Sequence, residues 1–246
     1  MGIFEYFSGA RRHQRRVDAR VRRANNKHTP KDYRQVALQE VIDFAKAGDA
    51  AALRGLIQRF SVNAEPSIED EKEKEWVNGA LVDIGRSALP AIAGALRSAE
   101  SVNWVQRVLR AIVTPEEYRD ELLSVLGDFD TEYERNPDRK MQTIMALADI
   151  PETGVAEALI PFLEDVDETV RFQTVVALAK IGLDVAREPM LKVMCDDESL
   201  RVRNEAIEAF AVLGWSTAGF KKKIDDLLPR GYKHDKSGKI VKLGSI

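Results

Sequence analysis

The chain has 246 residues, 44% apolar and 31% charged, and its net charge of −3 conceals a partition. Residues 1–35 hold ten Lys/Arg against three Asp/Glu, residues 221–246 hold eight against three, and the stretch between them is strongly acidic. The single cysteine, Cys195, excludes a disulfide framework and a cysteine zinc site, and no apolar run approaches the ~18 residues that cross a bilayer.

The start, Met1-Gly-Ile-Phe-Glu-Tyr-Phe7, fits neither a secretory signal nor, with Tyr6 at the sixth position, a myristoylation pattern, so a cytoplasmic location is expected. Residues 1–29 read as a basic helix or arm. Ile3, Phe4, Phe7, Ala10, Val17 and Val21 share a face, and Arg11, Arg12, Arg15, Arg16, Arg20, Arg22 and Arg23 fill the rest. Such a stretch either caps the first repeat, trails as a disordered tail, grips an acidic protein partner, or meets an anionic membrane or nucleic-acid phosphate through Phe4, Phe7, Arg11, Arg12, Arg15 and Arg16.

Thr29 is expected to cap the next helix, with Pro30 at its first position. Residues 31–47 and 49–60 make a hairpin that turns at Gly48-Asp49. An acidic insert follows, with Glu69, Asp70, Glu71, Glu73 and Glu75. It reads either as a solvated helix start with acids at its positive end or as a loop for something basic. Units then follow at 76–97 and 102–127, the latter opening its second helix with Thr114 and Glu117 in capping-box spacing. A long loop, 128–138, carries Phe129 and Tyr133, and two regular units come after it. Pro161 and Pro189 fall in or near second helices, and Pro161, if interior, would cost about 3 kcal/mol and kink its helix. From 229 the periodicity stops. Alternating residues around Asp235-Lys-Ser-Gly238 suit either a small hairpin over the last repeat or a basic tail.

Between 30 and 228 the chain repeats itself. Segments 139–150, 170–182 and 202–214 align with Ala146, Ala177 and Ala209 in one slot, a period of 31 and then 32, and stepping back reaches Ala111 and Ala80. Apolar positions at i, i+3, i+4 and i+7 give each unit a first amphipathic helix. Ile92 and Leu96, Leu122 and Leu126, Leu159 and Leu163, and Met190 and Met194 give it a second. Units of this length bury their apolar faces only by stacking on one another. The expectation is an all-α solenoid of five to six helical hairpins, with alanine in the shared slot for close helix approach.

Asp167-Glu-Thr-Val-Arg171 with Ala177-Leu-Ala-Lys-Ile-Gly182, and Ala80-Leu-Val-Asp-Ile-Gly-Arg-Ser-Ala-Leu-Pro90, resemble HEAT repeats of the short kind also found in phycobilisome lyases. The resemblance covers about 36–228 and is strongest over 136–214. Neither the Trp, Leu-Gly, Tyr pattern of tetratricopeptide repeats nor the Thr-Pro-Leu-His of ankyrin repeats is present. The resemblance implies a binding scaffold and no particular chemistry.

Chemistry has few footholds. His13, His28 and His234 lie outside the repeats and beside no Glu, unlike the His-Glu pairs of HEAT-repeat hydroxylases. Cys195 has no histidine to activate it, and phosphate loops and metal spacings are absent. A solenoid DNA glycosylase needs a basic groove where this array is acidic, and a phycobilin lyase is suggested by repeat type alone. We therefore expect no catalytic residues, metal or cofactor, and a non-enzymatic adaptor. The face opposite the apolar stripe of the second helices holds Arg97, Asp120, Ser124, Glu157, Glu164, Glu188 and Lys192, a mostly acidic strip suited to a partner's basic segment.

Overall fold

The computed structural model describes residues 3–243, with side chains from Gly9 onward except that of Lys221. Phe4 and Phe7 thus lie outside the described side chains. Two compact units divide between Tyr118 and Arg119. Among the described residues all regular structure is helical apart from one two-stranded hairpin.

The first unit contains α1 (Ile3–Ala24), α2 (Lys31–Lys46), α3 (Ala50–Arg59), α4 (Ser67–Ile84), α5 (Leu89–Ser98) and α6 (Asn103–Ile112). Of the roles open to the N-terminal helix, it takes at least that of a cap, because α1 packs on α2 and α3 and buries Val17 and Ala24. Val21 presses so closely on α3 that a methyl group at Gly55 would meet it at 2.5 Å. His13 reaches Asp49 at 2.8 Å, and Arg20 pairs with Glu40.

Thr29 does not cap α2. Pro30 precedes the helix, whose first residue is Lys31, and the Thr29 carbonyl instead accepts a bond from Arg34 Nη1 at 2.8 Å. The next turn is as expected: Gly48 takes a positive φ of 89°, and Asp49 caps α3 by accepting from the amides of Ala51 and Ala52.

The acidic insert is the first half of α4, continuous with Trp76 and beyond, and it is only partly solvated. Asp70, Glu73 and Lys74 are buried, as are Arg34 of α2 and Arg59 of α3. Arg34 Nε and Nη2 fork onto Glu73 at 2.7 and 3.0 Å, and Arg59 Nη2 donates to Glu73 at 2.9 Å and also to Asp70. Lys74 completes the group against Asp70 at 2.8 Å. One network thus ties three helices together.

The stretch Ser67–Ser98 is long and apolar enough for a window of it to pass as a membrane span. Gly85, at φ 67°, breaks it into α4 and α5, which both pack on α6. In α6 the repeat register differs from the sequence alignment. Val105, Val108 and Leu109 are buried and Ala111 is exposed, so the slot of Ala80 falls on Val108, three residues earlier than a constant period predicts.

Helix α7 (Pro115–Leu126) begins in the first unit and ends in the second. Its capping box forms in both directions: the Thr114 amide donates to Glu117 Oε2 at 2.9 Å, and the Glu117 amide donates to Thr114 Oγ1 at 3.2 Å. Arg86 forks onto the same carboxylate at 2.9 and 2.7 Å. Arg86 first, and then the Thr114 amide, hold the Glu117 carboxyl down to about 2.

The second unit continues with α8 (Asp138–Leu147), α9 (Thr153–Leu159), α10 (Glu168–Ile181), α11 (Arg187–Asp196), α12 (Leu200–Leu213), α13 (Lys221–Asp225), β1 (Tyr232–His234) and β2 (Ile240–Lys242). Pro161 kinks no α-helix interior. The α-helix ends at Leu159, and a 3-10 turn, Ile160–Glu164, takes the proline near its start. Helix α10 packs between α8 and α12. Gly182 and Gly214 end α10 and α12 in left-handed conformation, at φ 70° and 64°. The strands pair antiparallel with Tyr232 opposite Lys242, and β2 lies on α12, where Lys242 and Tyr232 both bind Glu208.

Ala177 and Ala209 are buried in the shared slot, whereas Ala146 is half-buried and Ala111 exposed. Ala177→Leu should therefore destabilise the protein by about 1–3 kcal/mol through overpacking, and Ala111→Leu by less than about 0.5 kcal/mol, both read from urea midpoints. Equal costs would mean that the slot is not what spaces these helices. A depressed carboxyl stabilises the fold above its unfolded pKa and loses that contribution as pH falls through the folded value. Arg86→Ala should accordingly move the Glu117 titration midpoint up from about 2 toward the ordinary carboxylate range, as followed by side-chain NMR.

Candidate partner-binding site

The second helices of the second unit end in carboxylates. The 3-10 turn after α9 closes on Glu164 and Asp165, and α11 closes on Asp196, Asp197 and Glu198. With Leu163, Val193, Arg171 and Lys192 they line a pocket of about 330 Å³. Two of these acids are committed internally: Asp165 to the buried Lys140 at 2.8 Å, and Asp197 to Arg171 at 2.8 Å. Glu164, Asp196 and Glu198 face outward. Lys192 meets Glu164 at 2.6 Å and Lys223 meets Asp196, and each lysine is raised above its ordinary value by that hydrogen bond. Glu198 is 88% exposed, with one 3.4 Å contact from Arg171. The carbonyl ends of the helices add partial negative charge to the same place.

All seven residues expected to form a strip are exposed; Glu164 and Lys192 line this pocket, and the other five do not. Arg97 belongs to the first unit, where its Nη1 donates to the Ala93 carbonyl at 3.1 Å. Asp120 accepts from Arg119 at 2.8 Å. Ser124, Glu157 and Glu188 stand on α7, α9 and α11. Sequence reasoning missed Asp196 and Glu198, which lie at and just beyond a helix end rather than on the face opposite the stripe. In α1, Arg11, Arg12, Arg15 and Arg16 are exposed, with Arg16 stacked over Phe44 at 5.4 Å.

A second concavity, of about 630 Å³, lies between α3 and α5 in the first unit. Leu53, Ile57 and Phe60 form one wall, and the small residues Ser87, Ala91, Gly94 and Ser98 form the other. Phe60 is backed by Trp104, stacked at 5.5 Å.

One arrangement imitates a catalytic triad that the sequence did not announce. Thr217 Oγ1 is 2.9 Å from His234 Nε2, and His234 Nδ1 is 2.5 Å from Asp225. Thr217 is wholly buried, however, and its hydroxyl donates to the Gly238 carbonyl at 2.8 Å, so no substrate reaches it. These bonds fasten the hairpin. Cys195 is buried, which pushes its thiol up and away from the reactive thiolate.

Residues 120–211 match the family model described as HEAT repeats. That stretch is built of HEAT repeats. No curated protein matches it. HEAT repeats commonly mediate protein–protein interaction, and the acidic pocket lies within the matched residues.

His234→Ala should release the hairpin. Amide exchange at Asp235 and Leu243, whose amides bond across it to Lys239 and Gly231, should speed at least tenfold while α10 amides are unchanged. Unchanged exchange would assign the fastening to Glu208 instead.

Proposed function

We propose that this HEAT-repeat protein is a non-enzymatic adaptor that holds a protein partner by a basic segment laid on the acidic face of its second unit. The observation that carries the reading is the outward set Glu164, Asp196 and Glu198 at the ends of successive second helices, with Glu157 and Glu188 exposed on the same helices. A Lys/Arg-rich segment matches this face in charge, and its binding weakens with salt because the carboxylates are solvated. The test is the affinity of a fluorescent Lys/Arg-rich peptide for the full chain and for the triple variant Glu157→Lys, Glu164→Lys, Glu188→Lys. A loss of tenfold or more with unchanged helicity is expected, and equal affinity would refute the acidic face.

A second reading rests on α1, where Arg11, Arg12 and Arg15 are exposed on a docked helix and offer an anionic membrane or nucleic-acid phosphate a row of cations. In the same titration, anionic vesicles and RNA replace the peptide. Binding that survives the triple reversal and disappears in Arg11→Gln, Arg12→Gln, Arg15→Gln would favour α1 over the acidic face.

A further inference from the structure

We infer that the groove between α3 and α5 in the first unit is the seat of a partner's amphipathic helix, about three turns long, with an apolar face flanked by carboxylates. This goes beyond the acidic face of the second unit and uses none of its residues.

Three observations point to that occupant. The first is the nature of the walls. Ser87 and Ser98 donate their hydroxyls to the Ile84 and Gly94 carbonyls at 3.0 and 2.8 Å, so the small-residue wall presents chiefly methyl, methylene and backbone surface opposite Leu53, Ile57 and Phe60. The second is size. A helix about 10 Å across rises 1.5 Å per residue, so three turns sunk to half their depth fill roughly 600 Å³. The groove offers about 630 Å³. A methyl group on Gly94 would meet nothing within 4 Å, which leaves open space for an incoming backbone where the wall is lowest.

The third observation is charge. Among the described residues lining the groove, Arg54 is the one with a formal charge; it is exposed, and no carboxylate of the described residues pairs with it. An acidic residue on the flank of the bound helix would meet it, whereas a basic flank would be repelled. The first unit therefore selects the charge opposite to the one that the second unit selects.

The test uses the full chain and two fluorescein-labelled twelve-residue helical peptides with the same Leu/Ala face, one flanked by Glu and one by Lys, followed by anisotropy. The Glu-flanked peptide should saturate and bind at least tenfold more tightly than the Lys-flanked one. Gly94→Leu should fill the groove and weaken it at least tenfold, with circular dichroism and thermal midpoint preserved. Arg54→Glu, on the surface, should erase or invert the preference whatever Gly94→Leu does to folding. The acidic-face triple variant should bind the Glu-flanked peptide as the parent does, so a failure of that face is separable from a failure of this groove. Equal binding by the parent and Gly94→Leu would overturn the proposal. So would saturable binding of laurate without the peptide, or a concentration-dependent dimer that Gly94→Leu dissolves.

Discussion

The repeats of the second unit are held in register by a buried cation that joins the two ends of its own hairpin. Lys140 in α8 bonds Asp165 Oδ2, just past the end of its hairpin, and the Glu132 carbonyl in the preceding loop. Arg171, 31 residues later in α10, bonds Asp197 and the carbonyls of Asp165 and Val166. The acids have a second task. Asp165 Oδ1 accepts from the Asp167 amide and Asp197 Oδ1 from the Ser199 amide, each at the residue that then caps the following helix. A single carboxylate thus fixes where one hairpin ends and where the next begins. Removing one partner of a buried pair costs about 3–5 kcal/mol, because the other is left charged without compensation.

The first unit solves the same problem with a cluster rather than a ladder. Arg34, Arg59, Glu73, Asp70 and Lys74 come from three helices and share every carboxylate. Burial alone would raise the Asp70 carboxyl, but Lys74 and Arg59 outweigh it and hold it below its ordinary value. The contribution of Asp70 is therefore present above its unfolded pKa and is lost as pH falls through the folded one. Replacing such a network by apolar residues is often neutral or stabilising, so its main consequence here is geometric: α2, α3 and α4 must arrive in one arrangement for all five charges to be paired. That arrangement also sets the position of α3, one wall of the apolar groove.

Most of the helical framework is legible in the residue pattern, because apolar stripes at helical spacing can be buried in only one way. The hairpin turns at Gly48, Gly182 and Gly214 and the Thr114 capping box are local and occur where their sequences place them. What escapes is the burial of charge. Glu73 and Lys140 look like solvated helix residues in isolation, since their partners lie 39 and 25 positions away and nothing short-range marks the pairing. The α6 register escapes for a related reason. A constant period predicts Ala111, but the apolar triplet Val105, Val108 and Leu109 wins the interior, and alanine is tolerated outside. The groove between α3 and α5 is illegible because its wall is made of residues too small to register as a pattern.

The ladder also accounts for the change of architecture after α12. Arg203 stands where Lys140 and Arg171 stand in their helices, yet it is half-buried and has no ion pair among the described residues. The helix that should deliver its aspartate, α13, has 5 residues where α11 has 10, so the chain turns before a carboxylate can return to it. The hairpin covers α12 through Glu208 instead, using Lys242 and the Tyr232 hydroxyl. Stacking of helical hairpins stops where the rung cannot close, and a strand pair takes over as the cap, laid on α12 through Glu208 and fastened by the Thr217, His234 and Asp225 bonds.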